Sequence, residues 1–438
     1  MEPSESTRRD ALRAARQPCA TPVPHSQAAP RVAVITMGVK LGAETKGYTR
    51  FLTIAEQLAG AGLSVELITS SFQHWEKAHR DTAAAEYRAY PFDVSFIDEP
   101  GYKRNIDLSR VRSHRRAASA LHSHLQSQHK ACGYDLVYCE IPPNDVARAA
   151  AEFASAAGIP FVVDVNDLWP EAMRMVLDVP VISQLLYRPL ARDAKATYRR
   201  CSAVVGTSDE YAERPFADCA PETTRLTVYV GGNKEEFDAG AALGRAAAQK
   251  PAGAFWVTYA GTLGTSYDLE TLINASVLAQ QHGVASLELL LIGDGPDLAK
   301  LERHVQKQGA PVRFLGYQDY SKLADWLVAS DVVVNSLVRK APQSIVNKVG
   351  DYLFSGRPMI NTGLKTELRN LVTQEKVGLN VVPGDPGLLA AAIERLASDA
   401  ELRALMGANA RRLAVERFDR ARSYAPIVEL VMGLVARR

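Results

Sequence analysis

Two rhythms of apolar and polar positions alternate along most of this chain. RVAVITM (31–37) is a short, near-continuous, β-branched run, the pattern of a strand covered on both faces. Phe51, Ile54, Ala55 and Leu58 then recur at i, i+3, i+4 and i+7, the stripe of an amphipathic helix, and Gly60 and Gly62 close it before a second strand run, SVELITS. The alternation returns with DLVYC, a helix carrying Val146, Ala150 and Phe153, then PFVVDV, SAVVGTS and RLTVYV. A doubly wound α/β domain over 31–230 is therefore predicted. Residues 231–254 turn to Gly, Ala, Lys and Glu without strand character and read as a linker. A second alternation fills 255–417, with strands FWVTYAG, SLELLLIG, VRFLG, DVVVNS and PMINT between helices on Leu269, Leu272 and Ile273, on Leu298 and Leu301, and on Leu323 and Leu327. Ligands of open parallel sheets bind beyond the carboxyl ends of the strands, so two such domains are expected to face each other across a cleft that holds the working site.

Residues 1–30 carry five prolines among Ser, Arg and Ala and read as a flexible tail. Elsewhere the composition is that of a globular protein: 438 residues, 47% apolar, 23% charged, formal net charge +2. That balance excludes disorder and argues against nucleic acid as a partner. No window approaches the roughly 18 to 20 apolar residues of a membrane span, and the first thirty residues lack a hydrophobic signal core, so a cytoplasmic protein is expected. The five cysteines form no CxxC pair and read as reduced thiols.

Several turns carry candidate chemistry. Gly38, Gly42 and Gly47 lie between the first strand and its helix, in a spacing that is neither a dinucleotide fingerprint nor a P-loop, and fit a close backbone approach to an anion or an ordinary mobile loop equally well. IGDGP, with Gly293, makes a tight turn after a buried strand. QSIVNKVGDYLFSGRP groups Gln343, Asn347, Lys348 and Asp351 around a short helix start, where a lysine offsets phosphate charge and a carboxylate accepts from a ribose diol. The polar helix start is equally readable as ordinary capping. Residues 101–130 hold four histidines and seven Lys or Arg against one acid, a local charge of +6 in a nearly neutral chain. His122 and His124 point to different helix faces, which removes a metal reading. His114 follows Ser113 at an expected helix start, and His74 in SFQHWEK stands just past the second strand.

FWVTYAGTLG, ELLLIGDGPDLAKL, VRFLGYQDYSKLADWLVASDVVV and NKVGDYLFSGRPMINT, in that order, resemble the donor domain of GT-B glycosyltransferases of family 4. GYTRF, TSSFQHWEKAHRD, EPGYKRN and VNDLWPEA resemble the branch that assembles bacterial capsular, exopolysaccharide or O-antigen units. The resemblance implies a GT-B fold of two Rossmann-like, doubly wound parallel-sheet domains, with a C-terminal helix (418–438) crossing back to the first, although SYAPIVELVMGLV reads equally as an ordinary terminal helix of the second domain. It also implies a retaining, metal-independent hexosyl transfer from a UDP or GDP sugar to a polyprenyl-diphosphate-linked saccharide, with no cofactor or metal site. The matching positions put Lys348, Asn347 and the amides near Gly261 and Thr262 on the diphosphate, Gly293 beside them, Asp351 on the ribose and Gln343 on the donor sugar. Gly47, Tyr48, Arg50, Tyr102, Lys103 and His114 fall on the acceptor side, with His74, Asn166 and Asp167 as catalytic candidates. Basic residues 103–116 read equally as a solvated helix face and as a patch that would hold an anionic leaflet and the pyrophosphate of a lipid-linked acceptor; the second would place the protein peripherally on the inner face of the plasma membrane, where partner glycosyltransferases could join it.

Departures from the family pattern are informative. Gln343 and Asp351 stand where many members carry two glutamates with seven residues between them, and GTLGTS lacks the usual Arg and Lys of that loop. Asn166 stands where many members have a histidine. These losses keep open a catalytically silent GT-B partner of another transferase; a GT-B sugar-nucleotide epimerase, acting without a lipid acceptor, is a second alternative, against which the basic patch and EPGYKRN argue.

Overall fold

The computed structural model describes residues 29–44, 47–104, 107–175, 182–341 and 345–437. They form two compact units, one running to Val228 and taking in the chain from Tyr424 onward, the other spanning Tyr229–Ser423.

The first unit is built on nine strands: β1 (Arg31–Ile35), β2 (Ser64–Ser70), β3 (Phe72–Gln73), β4 (Ala78–His79), β5 (Asp93–Ile97), β6 (Leu136–Ile141), β7 (Phe161–Val165), β8 (Ala203–Gly206) and β9 (Thr224–Thr227). β3 and β4 pair as a small hairpin, and the others make one sheet in the order β5-β2-β1-β6-β7-β8-β9 with every pair parallel. The period of two splits each buried strand between two cores. Ala33 and Ile35 of β1 join Val137, Cys139 and Val163 on one face, while Val32 and Val34 join Leu136, Tyr138 and Val162 on the other. The expected stripe of the helix Arg50–Gly60 is buried at Phe51, Ile54, Ala55 and Leu58. The terminal helix Ala425–Ala436 adds Ile427 and Val431 to that second core, so the last residues belong to the first unit. The order reverses at β1: the chain runs outward through β2 and β5, then returns to lay β6 on the other side. That is the topological switch point, where such sheets open a crevice.

The second unit repeats the plan with β10 (Phe255–Ala260), β11 (Leu287–Ile292), β12 (Val312–Gly316), β13 (Val332–Asn335), β14 (Met359–Asn361) and β15 (Gly378–Asn380), in the parallel order β12-β11-β10-β13-β14-β15. Its switch point lies between β10 and β13. Val257 and Tyr259 face one core and Trp256 and Ala260 the other.

The stretch expected to be a linker is folded into this unit. Asn233 caps a helix, Lys234–Ala241, by accepting from the Glu236 amide at 3.1 Å, and its Phe237 is fully buried, with its ring 5.6 Å from that of Phe354. One apolar anchor in eight residues was too little to register as a stripe. The strand Asp93–Ile97, half exposed at the sheet edge, and the three-residue strand Gly378–Asn380 also went unread from sequence. No described helix is long and apolar enough to cross a membrane.

Candidate functional site

In the second unit the carboxyl ends of β10 and β11 run into interlocked turns. Gly261 donates its amide to Ile292 O at 2.9 Å, and Leu263 donates to Asp294 O at 2.9 Å. Gly261 and Gly293 have φ of +144° and +134°, and a Cβ on Gly293 would stand 1.9 Å from Gly261 O. Only glycine permits both the backbone angle and the approach. Tyr352 fixes the strand end, its hydroxyl accepting from the Ala260 amide at 2.8 Å and donating to Ala260 O at 3.1 Å.

Lys348 begins the helix Lys348–Phe354, which follows β13 on the other side of the switch point. Its Nζ lies 3.9 Å from the ring centroids of both Tyr259 and Tyr267, and is buried with no hydrogen-bond partner among the described residues. A Cβ on Gly261 would be 2.4 Å from that nitrogen. Burial pulls the lysine's pKa well below its ordinary value, while two ring faces favour the cation. A buried amine with neither carboxylate nor hydrogen bond is an expensive arrangement, and an anion at the Gly261 turn would relieve it.

One helical turn on, Asp351 Oδ1 accepts from the Tyr320 hydroxyl at 2.8 Å. Burial raises the Asp351 pKa to about 6, opposed by that hydrogen bond and by Arg420. Gly232 packs over the pair, where a Cβ would sit 3.3 Å from Oδ1 and 3.2 Å from the Tyr320 oxygen. Thr262 and Asn347 are both exposed beside this turn. Gln343 lies outside the described residues.

The first unit gathers a second group at the same end of its sheet. His74 Nδ1 meets the Tyr102 hydroxyl and lies 3.3 Å from Lys77 Nζ. A lysine donating to Nδ1 leaves the ring proton on Nε2. Burial, Lys77 and Arg110 together lower the His74 pKa to about 4, and His114, 8% exposed, is lowered to about 3 by burial, Arg110, His74 and Lys77. Both imidazoles are neutral at physiological pH. Lys77 Nζ stands 4.5 Å from the Tyr102 ring centroid, Arg110 stands 4.9 Å from that of Trp169, and Trp169 stacks on His114 at 6.4 Å. Tyr48, 43% exposed, meets Trp75 edge-on at 4.7 Å. Gly47, at φ +139°, closes the turn before Tyr48, and Lys103 is exposed.

Three sequence-derived assignments change. Arg50 is 1% exposed and committed to the interior: it bonds Asp164 at 3.1 Å through Nε, donates to Val228 O at 3.1 Å, and lies 4.9 Å from the Tyr424 ring centroid. It holds the first unit together and is not presented to an acceptor. Asn166 gives its amide to Asp164 at 3.0 Å, a bracing role in the same network. Asp167 accepts from the Leu168 amide at 2.9 Å, Trp169 Nε1 at 3.1 Å and the Tyr211 hydroxyl at 3.4 Å, which ties down the turn that presents Trp169. Ser113 is likewise no helix cap. The helix begins at Leu108 under Asp107, and Ser113 donates to Glu99 at 2.8 Å.

Glu140 went unread. It stands one residue before the end of β6 at the switch point, 6% exposed, with Oε2 accepting from Thr36 Oγ1 at 2.7 Å and from the Met37 amide at 3.0 Å. Burial raises its pKa to about 7, and no cation offsets it among the described residues. A lone acid closing the apolar run LVYC was its only sequence signal. Tyr259, Tyr267 and Tyr320 were hidden as ordinary core aromatics.

Comparison with known families places these features. Residues 48–231 match the model described as glycosyl transferase 4-like domain, and residues 254–399 match that described as glycosyl transferases group 1. The chain is a GT-B glycosyltransferase that carries both of these domains in tandem. HepE from Anabaena, solved with UDP, is similar in structure at a TM-score of 0.66 and 19% identity, over 92% of this chain and 100% of that one. Sucrose-phosphate synthase from Thermosynechococcus elongatus aligns at 0.68 and 20% identity over 93% and 100%. WaaG, a glycosyltransferase involved in lipopolysaccharide biosynthesis, aligns at 0.64 and 14% over 92% and 100%. Comparison with curated proteins finds no match.

Proposed function

We propose that the chain transfers a sugar from a uridine diphosphate sugar to a lipid-linked saccharide, with retention of anomeric configuration, in surface polysaccharide assembly. Lys348 carries the reading: its buried amine, without a hydrogen-bond partner among the described residues and held beside the Gly261 turn, is the complement of a departing diphosphate, whose charge would restore its proton. Asn347 and the amides at Gly261 and Thr262 would share the phosphate oxygens, with Gly293 keeping the turn open. Asp351 would take the ribose diol and Gln343 the donor sugar. As the bond from the sugar's anomeric carbon to the diphosphate oxygen breaks, its electron pair leaves with the phosphate, and Lys348 offsets the charge that collects there. The UDP complex of HepE supports the choice of base.

On the acceptor side, Tyr48 would offer an aromatic face and His74 a ring nitrogen to a saccharide, with the buried Tyr102 and His114 packed beneath them and holding His74 in place. Leu108 and Val111, 86% and 47% exposed, stand among the exposed Lys103, Arg104, Arg112 and Arg115. Apolar residues interleaved with cations suit the surface of an anionic membrane, at about 1 kcal/mol per basic residue. The role of WaaG in lipopolysaccharide synthesis supports a lipid-borne acceptor. A soluble sugar phosphate is the second reading, favoured by Lys77 and Arg110 around Tyr102 and by the likeness to sucrose-phosphate synthase.

Thermal shift against UDP, GDP, ADP, CMP and dTDP tests the donor half, since a ligand at 100 times its dissociation constant adds about 2.7 kcal/mol. Stabilisation by UDP alone is expected. No response to any of them in folded protein would discard the donor site and favour a silent partner. Flotation with anionic and neutral vesicles then separates the two acceptor readings, because only the lipid-borne one requires binding to the anionic set.

A further inference from the structure

Away from both groups, two thiols meet inside the first unit. Cys201 leaves the helix Ile182–Tyr198 and leads into β8, and Cys219 ends the turn Arg214–Asp218. Their sulfurs are 3.7 Å apart although 18 positions separate them in sequence. The environments differ: Cys201 is 5% exposed, with its sulfur 3.0 Å from Tyr198 O, whereas Cys219 is half-buried, 3.3 Å from Pro215 O. The hydrogen bond with Cys201 lowers the Cys219 pKa, which burial opposes, while that same hydrogen bond and burial raise Cys201. Cys139, a free thiol that is fully buried, provides an internal contrast.

We propose that Cys201 and Cys219 are a reactive pair, with Cys219 the attacking thiol and Cys201 the resolving one, that closes into a reversible disulfide when met by a small-molecule disulfide. The Cys219 thiolate attacks one sulfur of glutathione disulfide, whose S–S bond breaks and releases one glutathione thiolate. Cys201 gives its proton to solvent and attacks the Cys219 sulfur of the mixed disulfide, expelling the second glutathione. The protein pair loses two electrons and glutathione disulfide gains them, and the two protons shed by the cysteines end on the two glutathiones. Bond formation requires the sulfurs to close to about 2.05 Å, a movement that the short turn carrying Cys219 can make. The link would tie that turn to the end of the Ile182–Tyr198 helix. The helix Asp209–Glu213, which carries Tyr211 onto Asp167, leads directly into the turn.

Full-length protein is incubated with glutathione disulfide, quenched with acid and an alkylating agent, and mapped by peptide mass spectrometry. The expected product is a Cys201–Cys219 cross-linked peptide lighter by two hydrogens and reversed by dithiothreitol, with Cys139 alkylated only after unfolding. Cys201→Ser is expected to trap glutathione on Cys219, and Cys219→Ser to leave Cys201 unmodified. Persistent glutathione on Cys219 of the unmodified sequence without cross-linking would overturn the pairing. So would failure of either cysteine to react in folded protein under conditions that cross-link the unfolded chain. Both of these outcomes are read on the native sequence, so a variant that folds poorly does not decide the matter.

Discussion

Lys348 and Gly261 exclude one another's alternatives: a side chain at Gly261 would place its Cβ 2.4 Å from Lys348 Nζ and 2.9 Å from Cε. The amine reaches its place between the Tyr259 and Tyr267 rings only because position 261 has no side chain. Gly261→Ala is expected to displace the ammonium and strain a backbone held at φ +144°. A stability loss of about 1–3 kcal/mol follows from such a conformation, with a loss of UDP affinity larger than the stability change explains. Lys348→Met keeps the aliphatic bulk against the rings and removes the desolvated nitrogen. It is expected to melt no lower than the parent chain while binding UDP at least tenfold more weakly, as read by titration calorimetry. Unchanged UDP affinity in Lys348→Met would remove this residue from the donor site.

Asp351 shows the same conflict between stability and use. Its pKa rises from 3.8 to about 6 on folding, because burial disfavours the carboxylate more than Tyr320 and Arg420 favour it. For an acid raised on folding, the unfolded chain gives up its proton first as pH rises, so stability falls between about pH 4 and 6 and stays low above. Asp351→Asn removes that penalty. The variant is expected to gain up to about 3 kcal/mol near pH 7, at roughly 1.4 kcal/mol per pKa unit, and nothing below pH 4. Its affinity for UDP should fall, since an amide oxygen accepts more weakly than a carboxylate from a ribose hydroxyl. Urea unfolding at several pH values, paired with calorimetry, reads both.

Arg50 lies beneath the first unit's candidate site. Its guanidinium sits against Asp164, whose other contacts come from Tyr138 and Asn166. Removing the cation alone leaves a carboxylate at 0% exposure with dipoles and no charge partner. Arg50→Met is expected to cost about 3–5 kcal/mol. Arg50→Met with Asp164→Asn should recover part of that loss, because the second change removes the orphaned charge. A double variant no more stable than the single one, by urea unfolding, would show that the ion pair is not what Arg50 contributes.

Much of this architecture was legible because buried parallel strands write themselves as apolar runs. RVAVITM, SVELITS and FWVTYAG each became a strand, and the stripe through Phe51 and Leu58 became the helix behind them. The donor-side cluster was legible in part, since Lys348 and Asp351 share one short polar segment. Its other half was not: Tyr259 and Tyr267 come from β10 and the turn after it and Tyr320 from a helix start after β12, all outside the segment of Lys348 and Asp351, and a tyrosine reads as ordinary packing until the fold puts a lysine on its ring or a carboxylate on its hydroxyl. Arg50 failed in the opposite direction. A charged residue after a glycine turn reads as exposed, and only β7, arriving with Asp164 from 114 positions away, shows it to be interior. The folded segment around Phe237 escaped because a single buried ring supports it.

Glu140 extends the reasoning applied to Asp351 to a residue with no assigned partner. Thr36 Oγ1 and the Met37 amide both donate to Oε2, and the Gly38 amide adds to their stabilisation of the carboxylate. Burial moves its pKa from 4.5 to about 7, with Asp164 adding to the rise and the donors opposing it. The unfolded chain therefore ionises first as pH climbs, and the folded state loses stability from about pH 4.5 until about pH 7, where the penalty is complete. Glu140→Gln keeps an oxygen for Thr36 and Met37 and cannot ionise. The variant and the parent chain should unfold alike at pH 4, diverge through pH 5 to 7, and differ by up to about 3 kcal/mol at pH 8, the variant being the more stable. A constant difference across that range would mean that Glu140 does not change its ionisation on folding. If the carboxylate serves the acceptor, the gain in stability should come with slower transfer and unchanged UDP affinity. That combination separates a retained functional acid from an incidental buried one, because an incidental acid would leave transfer untouched when made neutral.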